Sequence, residues 1–95
     1  MLNIYYSSRV ENGVPKGYVS IWEDGIPLES FHTWDKTGEA TEKETAIAAF
    51  EDAAKWIVSS GRVGCPVSIV SKYSEYGYDI MASSEFLNEE VKTGG

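Results

Sequence analysis

Cysteine and histidine are almost missing from this chain: Cys65 and His32 each stand alone. A lone cysteine closes no internal disulfide, so the expectation is a reduced, cytoplasmic protein. One Cys and one His leave the rest of a tetrahedral zinc site to carboxylates, and they give a thiol nucleophile, a base and an orienting Asp35 or Asp79 no spacing to test. Cys65, between Gly64 and Pro66, reads as a small apolar residue at a strand entrance. No apolar run approaches the roughly 20 residues that cross a bilayer, and none resembles the core of a signal peptide. Neither a G-x-x-x-x-G-K-[ST] loop nor a G-x-G-x-x-G turn occurs, so no phosphate-cradling backbone and no cofactor is implied.

Positive charge is also scarce. Eight Lys and Arg face fifteen Asp and Glu, for a formal net charge of -7, and the cations are scattered from Arg9 to Lys92. Such a surface repels nucleic-acid phosphate and favours a basic protein partner. At 95 residues the chain is expected to be a single domain near the lower size at which one core suffices without staples. Three Trp, six Tyr and three Phe offer much of the burial area, which implies an aromatic-rich core.

Leu2, Ile4 and Tyr6 alternate with Asn3, Tyr5 and Ser7, the period of a half-buried strand. The stretch VENGVPKG reads as a hairpin loop, GYVSIW from Gly17 to Trp22 as a second strand, and Asp24-Gly25 as a tight turn. Ile26 to Trp34 is then a third strand with Pro27 near its start, which completes an antiparallel meander. Thr41-Glu42-Lys43-Glu44 matches a capping box, so a long helix is expected over about 41–60. Ile47, Phe50, Ala53, Ala54, Ile57 and Val58 define its apolar face, and Ser59-Ser60-Gly61 its end. Val67 to Ser71 is a fourth strand, parallel to one of the first three after a crossover. Residues 72–83 fit either a turn and fifth strand or a short helix weakened by Gly77. Residues 88–95 read as a flexible tail, and Gly94-Gly95 is too short a motif to imply a ubiquitin-like carrier. The fold class is thus α/β, with α+β as the alternative.

This order of elements resembles the ribonuclease H fold over roughly residues 2–82, in a truncated form. IYYSS at Ile4 to Ser8 resembles the family's first-strand motif, GYVSIW its second strand, TEKETAIAAFEDA its helix, and PVSIVSKYSEY its fourth-strand motif. The resemblance implies a two-metal nuclease whose carboxylates converge on divalent cations. Here Ser7 and Lys72 stand where the family has aspartates, and no segment corresponds to the region that supplies the remaining ligand. Glu42 alone matches a catalytic carboxylate. The implied catalytic set is therefore incomplete, with Glu42, Ser7 and Lys72 as its vestiges, and an ion pair between Lys72 and Glu42 is expected in place of metal. Without the resemblance, Glu42 is an acid favoured by the helix macrodipole.

Trp34, Trp56, Tyr73, Tyr76 and Tyr78, with Glu75 and Asp79, form the other candidate set. Core packing is the plain reading of the rings; exposed within an acidic surround, they suit a protein-binding hot spot. The functional expectation is a non-enzymatic, acidic protein-interaction module, in size and charge like phage or mobile-element inhibitors that occupy the basic groove of a host nucleic-acid-binding or CRISPR-type protein. A degenerate or partner-completed ribonuclease H-like nuclease and a structural accessory subunit are the alternatives. An open sheet edge further suggests a homodimer.

Overall fold

The computed structural model describes residues 1–83; the expected tail and Gly94-Gly95 lie outside them. Its elements run β1 (Leu2–Glu11), β2 (Val14–Glu23), β3 (Ile26–Trp34), α1 (Glu42–Ser59), β4 (Val67–Val70) and a second helix, α2, over residues 74–83. The strands form one mixed sheet in the order β3-β2-β1-β4, antiparallel except for the β1–β4 pair. This is an α+β fold with both helices on one side of the sheet.

The first hairpin is tighter than the sequence suggested. Asn12 and Gly13 both take positive φ, as a two-residue turn matched to strand twist requires, so β1 runs to Glu11 and β2 starts at Val14. Pro15 fits inside β2 because the pairing with β3 begins only at Lys16, leaving no ladder partner for the N–H that proline lacks. Asp24-Gly25 closes the second hairpin with the same pair of positive φ values.

The expected capping box is present. Glu44 N–H donates to Thr41 Oγ1 at 3.1 Å, and Thr41 N–H to Glu44 Oε1 at 3.0 Å. At the other end Gly61 and Arg62 donate to the carbonyls of Val58 and Ile57, a Schellman closure made possible by the positive φ of Gly61. The buried face of α1 is rotated slightly from the expected one: Ala46, Ala49, Phe50, Ala53, Ala54 and Ile57 are buried, while Ile47 and Val58 flank them. Alanines carry no side-chain bulk past Cβ, so the helix backbone lies close to the sheet.

The core lies between this face and Leu2, Ile4, Tyr6, Val19, Ile21 and Ile69, with Met81 of α2 closing one side. An aromatic-rich core is not what forms. Phe50 and Tyr6 are its only buried rings among the described residues, since an alanine-faced layer leaves little depth for others. Phe31, Trp56 and Tyr73 are half-buried against the core's margin, and other rings lie at the surface, several of them on the sheet face that neither helix covers.

Residues 74–83 are helical, so among the described residues no fifth strand pairs with β4. Gly77 permits α2 rather than weakening it. A Cβ there would lie 2.9 Å from Ile69 Cδ1 and 3.2 Å from Phe50 Cε1, so glycine allows α2 to sit against the core. The edge of β4 is partly capped from α2, because Ile69 N–H donates to Tyr78 Oη at 3.0 Å.

Candidate functional site

β4 pairs with β1 only as far as Tyr5↔Val70, so Ser71 and Lys72 leave the sheet while β1 continues through Tyr6, Ser7 and Ser8. The first turn of α1 begins above this divergence. The three segments enclose a shallow hollow of about 350 Å³ lined by Tyr6, Ser7, Ser8, Glu42, Ser71 and Lys72. Lys72 Nζ lies 2.7 Å from Glu42 Oε1, and Ser8 Oγ donates to the same oxygen at 2.7 Å. The expected Glu42–Lys72 ion pair is therefore present, but Ser7 does not join it. Tyr6 and Ser8 share the helix-facing side of β1, so Ser8 reaches Glu42 while exposed Ser7 only lines the hollow.

The electrostatics follow from the contacts. Hydrogen bonds from Lys72 and then Ser8 hold the Glu42 carboxyl below its ordinary range, and Glu42 in turn raises Lys72. Glu42 stays ionised and Lys72 stays protonated around neutrality, so neither is poised to exchange a proton there. A carboxylate already neutralised by an ammonium is also a poor ligand for a divalent cation. Among the described residues no group of three or more His, Cys, Asp or Glu is arranged to hold a metal ion. Beneath the pair, burial raises the Tyr6 phenol, partly offset by the nearby Ser8, and its buried hydroxyl makes no hydrogen bond of good geometry.

The aromatic candidates divide into separate places. Tyr73 and Tyr76 sit side by side, ring centroids 6.4 Å apart, with Lys72 5.2 Å from the Tyr73 ring and Lys43 4.5 Å from the Tyr76 ring. Trp56 is half-buried beneath Arg62, 5.1 Å away. Tyr78 is 46 % exposed, yet its hydroxyl is fixed by the β4 backbone. Glu75 and Asp79 are exposed on α2 beside it, at the three- and four-residue spacings that share a helix face. Trp34 is remote from all of these, at the end of β3.

A thiol–imidazole arrangement is not assembled. His32 stacks edge-on against Tyr18 on the bare sheet face, whereas Cys65 packs against the core on the helix side. Asp35 organises the β3–α1 loop, accepting from Thr37 and Ala40. Sequence reasoning missed the Ser8 contact and the exposed aromatic face of the sheet; strand parity signals the first, and the alternation of Tyr18 and Trp22 with Val19 and Ile21 signals the second. No helix among the described residues is long and apolar enough to cross a membrane. Compared with models of known protein families, with curated proteins and with solved structures, the chain matches none.

Proposed function

We propose that this chain is a non-enzymatic interaction module that binds a basic protein through the outer face of α2. The observation that carries the reading is the grouping of Glu75, Tyr78 and Asp79 on one exposed helix face, two carboxylates flanking a ring. The hydrogen bond from Ile69 N–H holds that ring in place before any partner arrives, which lowers the ordering cost of binding. A fixed tyrosine within an acidic surround suits Lys- and Arg-rich surfaces such as those of nucleic-acid-binding proteins. Inhibition of such a protein is the biological role this chemistry would serve.

The Glu42–Lys72 ion pair supports the non-enzymatic half of the proposal. It also favours a second reading, a degenerate ribonuclease H-like domain, because Glu42 and Lys72, at two of the positions the resemblance matches, come together, although Ser8 and not Ser7 joins them from β1. Three antiparallel strands followed by a helix and a parallel strand are consistent with that ancestry. A partner-completed nuclease would need Lys72 displaced from Glu42 before metal could bind.

The direct test is affinity capture from lysate with the wild-type chain and with a Glu75→Lys/Asp79→Lys variant. The expected result is a basic, nucleic-acid-binding protein retained by the wild type and lost by the variant. An unchanged set of captured proteins would remove α2 as the contact surface.

A further inference from the structure

Both helices lie on one side of the sheet, and among the described residues nothing covers the other side. The register fixes what that side carries. Arg9 stands opposite Lys16, and Lys16 opposite Trp34; in the next rank Ser7 stands opposite Tyr18, and Tyr18 opposite His32. Further along, Tyr5 packs edge-on against Trp22 with centroids 6.3 Å apart. Tyr5, Tyr18 and Trp34 are 45 %, 39 % and 48 % exposed, large fractions for rings carried on the strands of a sheet.

Two features distinguish this face from an ordinary solvated sheet. Arg9 and Lys16 are like charges directly across neighbouring strands, an arrangement that destabilises a sheet unless an anion relieves it. Glu11 bridges both, at 2.7 Å from Arg9 and 2.8 Å from Lys16, and so leaves one positive charge uncompensated. Beside them, Ser7, Arg9, Lys16, Tyr18 and His32 border a hollow of about 310 Å³, near the lower size of a small-molecule pocket. Cation and ring thus stand in adjacent ranks.

Among the described residues the negative charge lies mostly elsewhere. Glu11 is on this face and Glu29 at its rim, whereas Glu44, Glu51, Glu75 and Asp79 are exposed on the helix layer. The body is 20 Å across its shortest extent, and charges are screened over about 8 Å at physiological ionic strength. The whole-chain charge therefore does not describe this face.

We infer that the bare sheet face binds single-stranded nucleic acid, with phosphates on Arg9 and Lys16 and bases stacked on Tyr18, Trp34 and Tyr5. Flat rings exposed in ranks across a sheet offer every base a π-face, and the neighbouring cations take the backbone between bases. Duplex is a poor fit, because its bases are already stacked. With one net positive charge left after Glu11, the binding is weak and only slightly salt-dependent, with a slope of log affinity against log salt of about -0.7 for one neutralised phosphate on a single strand. This site is separate from the α2 face and stands or falls independently of it.

The test is a titration of the full chain with labelled oligothymidylate and oligouridylate at physiological ionic strength, read by anisotropy and by Trp quenching. Tyr18→Ala is expected to weaken binding on the order of tenfold, as loss of one stacked base does. Tyr18→Phe should restore it, since the ring and not the hydroxyl does the stacking. Arg9→Glu/Lys16→Glu should abolish it, while Lys43→Glu on the helix side should leave it unchanged, and circular dichroism checks each fold. Three results would overturn the inference: no binding by the wild type, equal competition by polyglutamate, or loss in Lys43→Glu but not in the sheet-face variants.

Discussion

Removing a single oxygen should stabilise this protein. The buried Tyr6 hydroxyl makes no hydrogen bond of good geometry; the nearby Ser8, which gives its own proton to Glu42, is at best a weak acceptor for it. A buried polar group left unsatisfied costs about 1–3 kcal/mol, so Tyr6→Phe is expected to raise stability by about 1 kcal/mol while keeping the ring packed on Phe50, 5.3 Å between centroids. The same hydroxyl makes Gly17 obligatory. A Cβ at position 17 would stand 2.8 Å from Tyr6 Oη and 3.1 Å from Thr45 Cγ2. Overpacking of this kind costs about 1–3 kcal/mol, against about 0.4–1 kcal/mol recovered from the lower entropy of an unfolded alanine. Gly17→Ala should therefore lose on the order of 1–2 kcal/mol. In Tyr6→Phe/Gly17→Ala the nearest clashing atom is gone, so the cycle should show favourable coupling of at least about 0.5 kcal/mol, as contacting residues do. Urea denaturation with unchanged m-values measures all four proteins. If Tyr6→Phe instead destabilises by about 1 kcal/mol or more, the hydroxyl has a partner and the reasoning fails.

Other perturbations address the helix ends, the ion pair and the sheet edge. Thr41→Ala removes the side-chain acceptor of the capping box and should cost about 1 kcal/mol by chemical denaturation; no loss would mean the box carries no net stability. Because Lys72 and Ser8 depress the Glu42 pKa in the folded state, the stability that ionised Glu42 contributes is complete above its unfolded value of about 4.3 and disappears as pH falls through the lower folded one. The stability gap between wild type and Glu42→Gln should accordingly close on acidification, and a gap that widens would contradict the pair. Tyr78→Phe frees the outward amide of β4, so hydrogen exchange at Ile69 should accelerate while exchange at Ile4 does not. Equal protection in both proteins would show that the hydroxyl does not hold the edge.

Local chemistry made much of the fold legible. Asn12-Gly13 and Asp24-Gly25 select two-residue hairpin turns, and Thr41 with Glu44 sets the first turn of α1, because each signal acts within four residues. Tertiary contacts hid the rest. Gly77 argued against a helix on propensity, yet it stands there because Ile69 and Phe50 leave no room for a Cβ. The rings suggested a core, but in Tyr18-Val19-Ser20-Ile21-Trp22 both strand faces carry large apolar groups, and nothing local says which face the helices will cover. At the candidate site, motif alignment drew attention to Ser7, whereas the parity shared by Leu2, Ile4, Tyr6 and Ser8 was the better guide to what meets Glu42. The partner of that carboxylate was legible for a different reason. Lys72 follows a strand parallel to β1, which returns the chain to the level of the α1 first turn.

Whether the Glu42 carboxylate is held by Lys72 or available to a cation separates the non-enzymatic reading from a nuclease. Calorimetric titration with magnesium and with manganese, on the wild type and on Glu42→Gln, measures this directly. The predicted result is no saturable heat in either protein. Saturable heat in the wild type that vanishes in Glu42→Gln would show a functioning metal site and contradict the non-enzymatic reading.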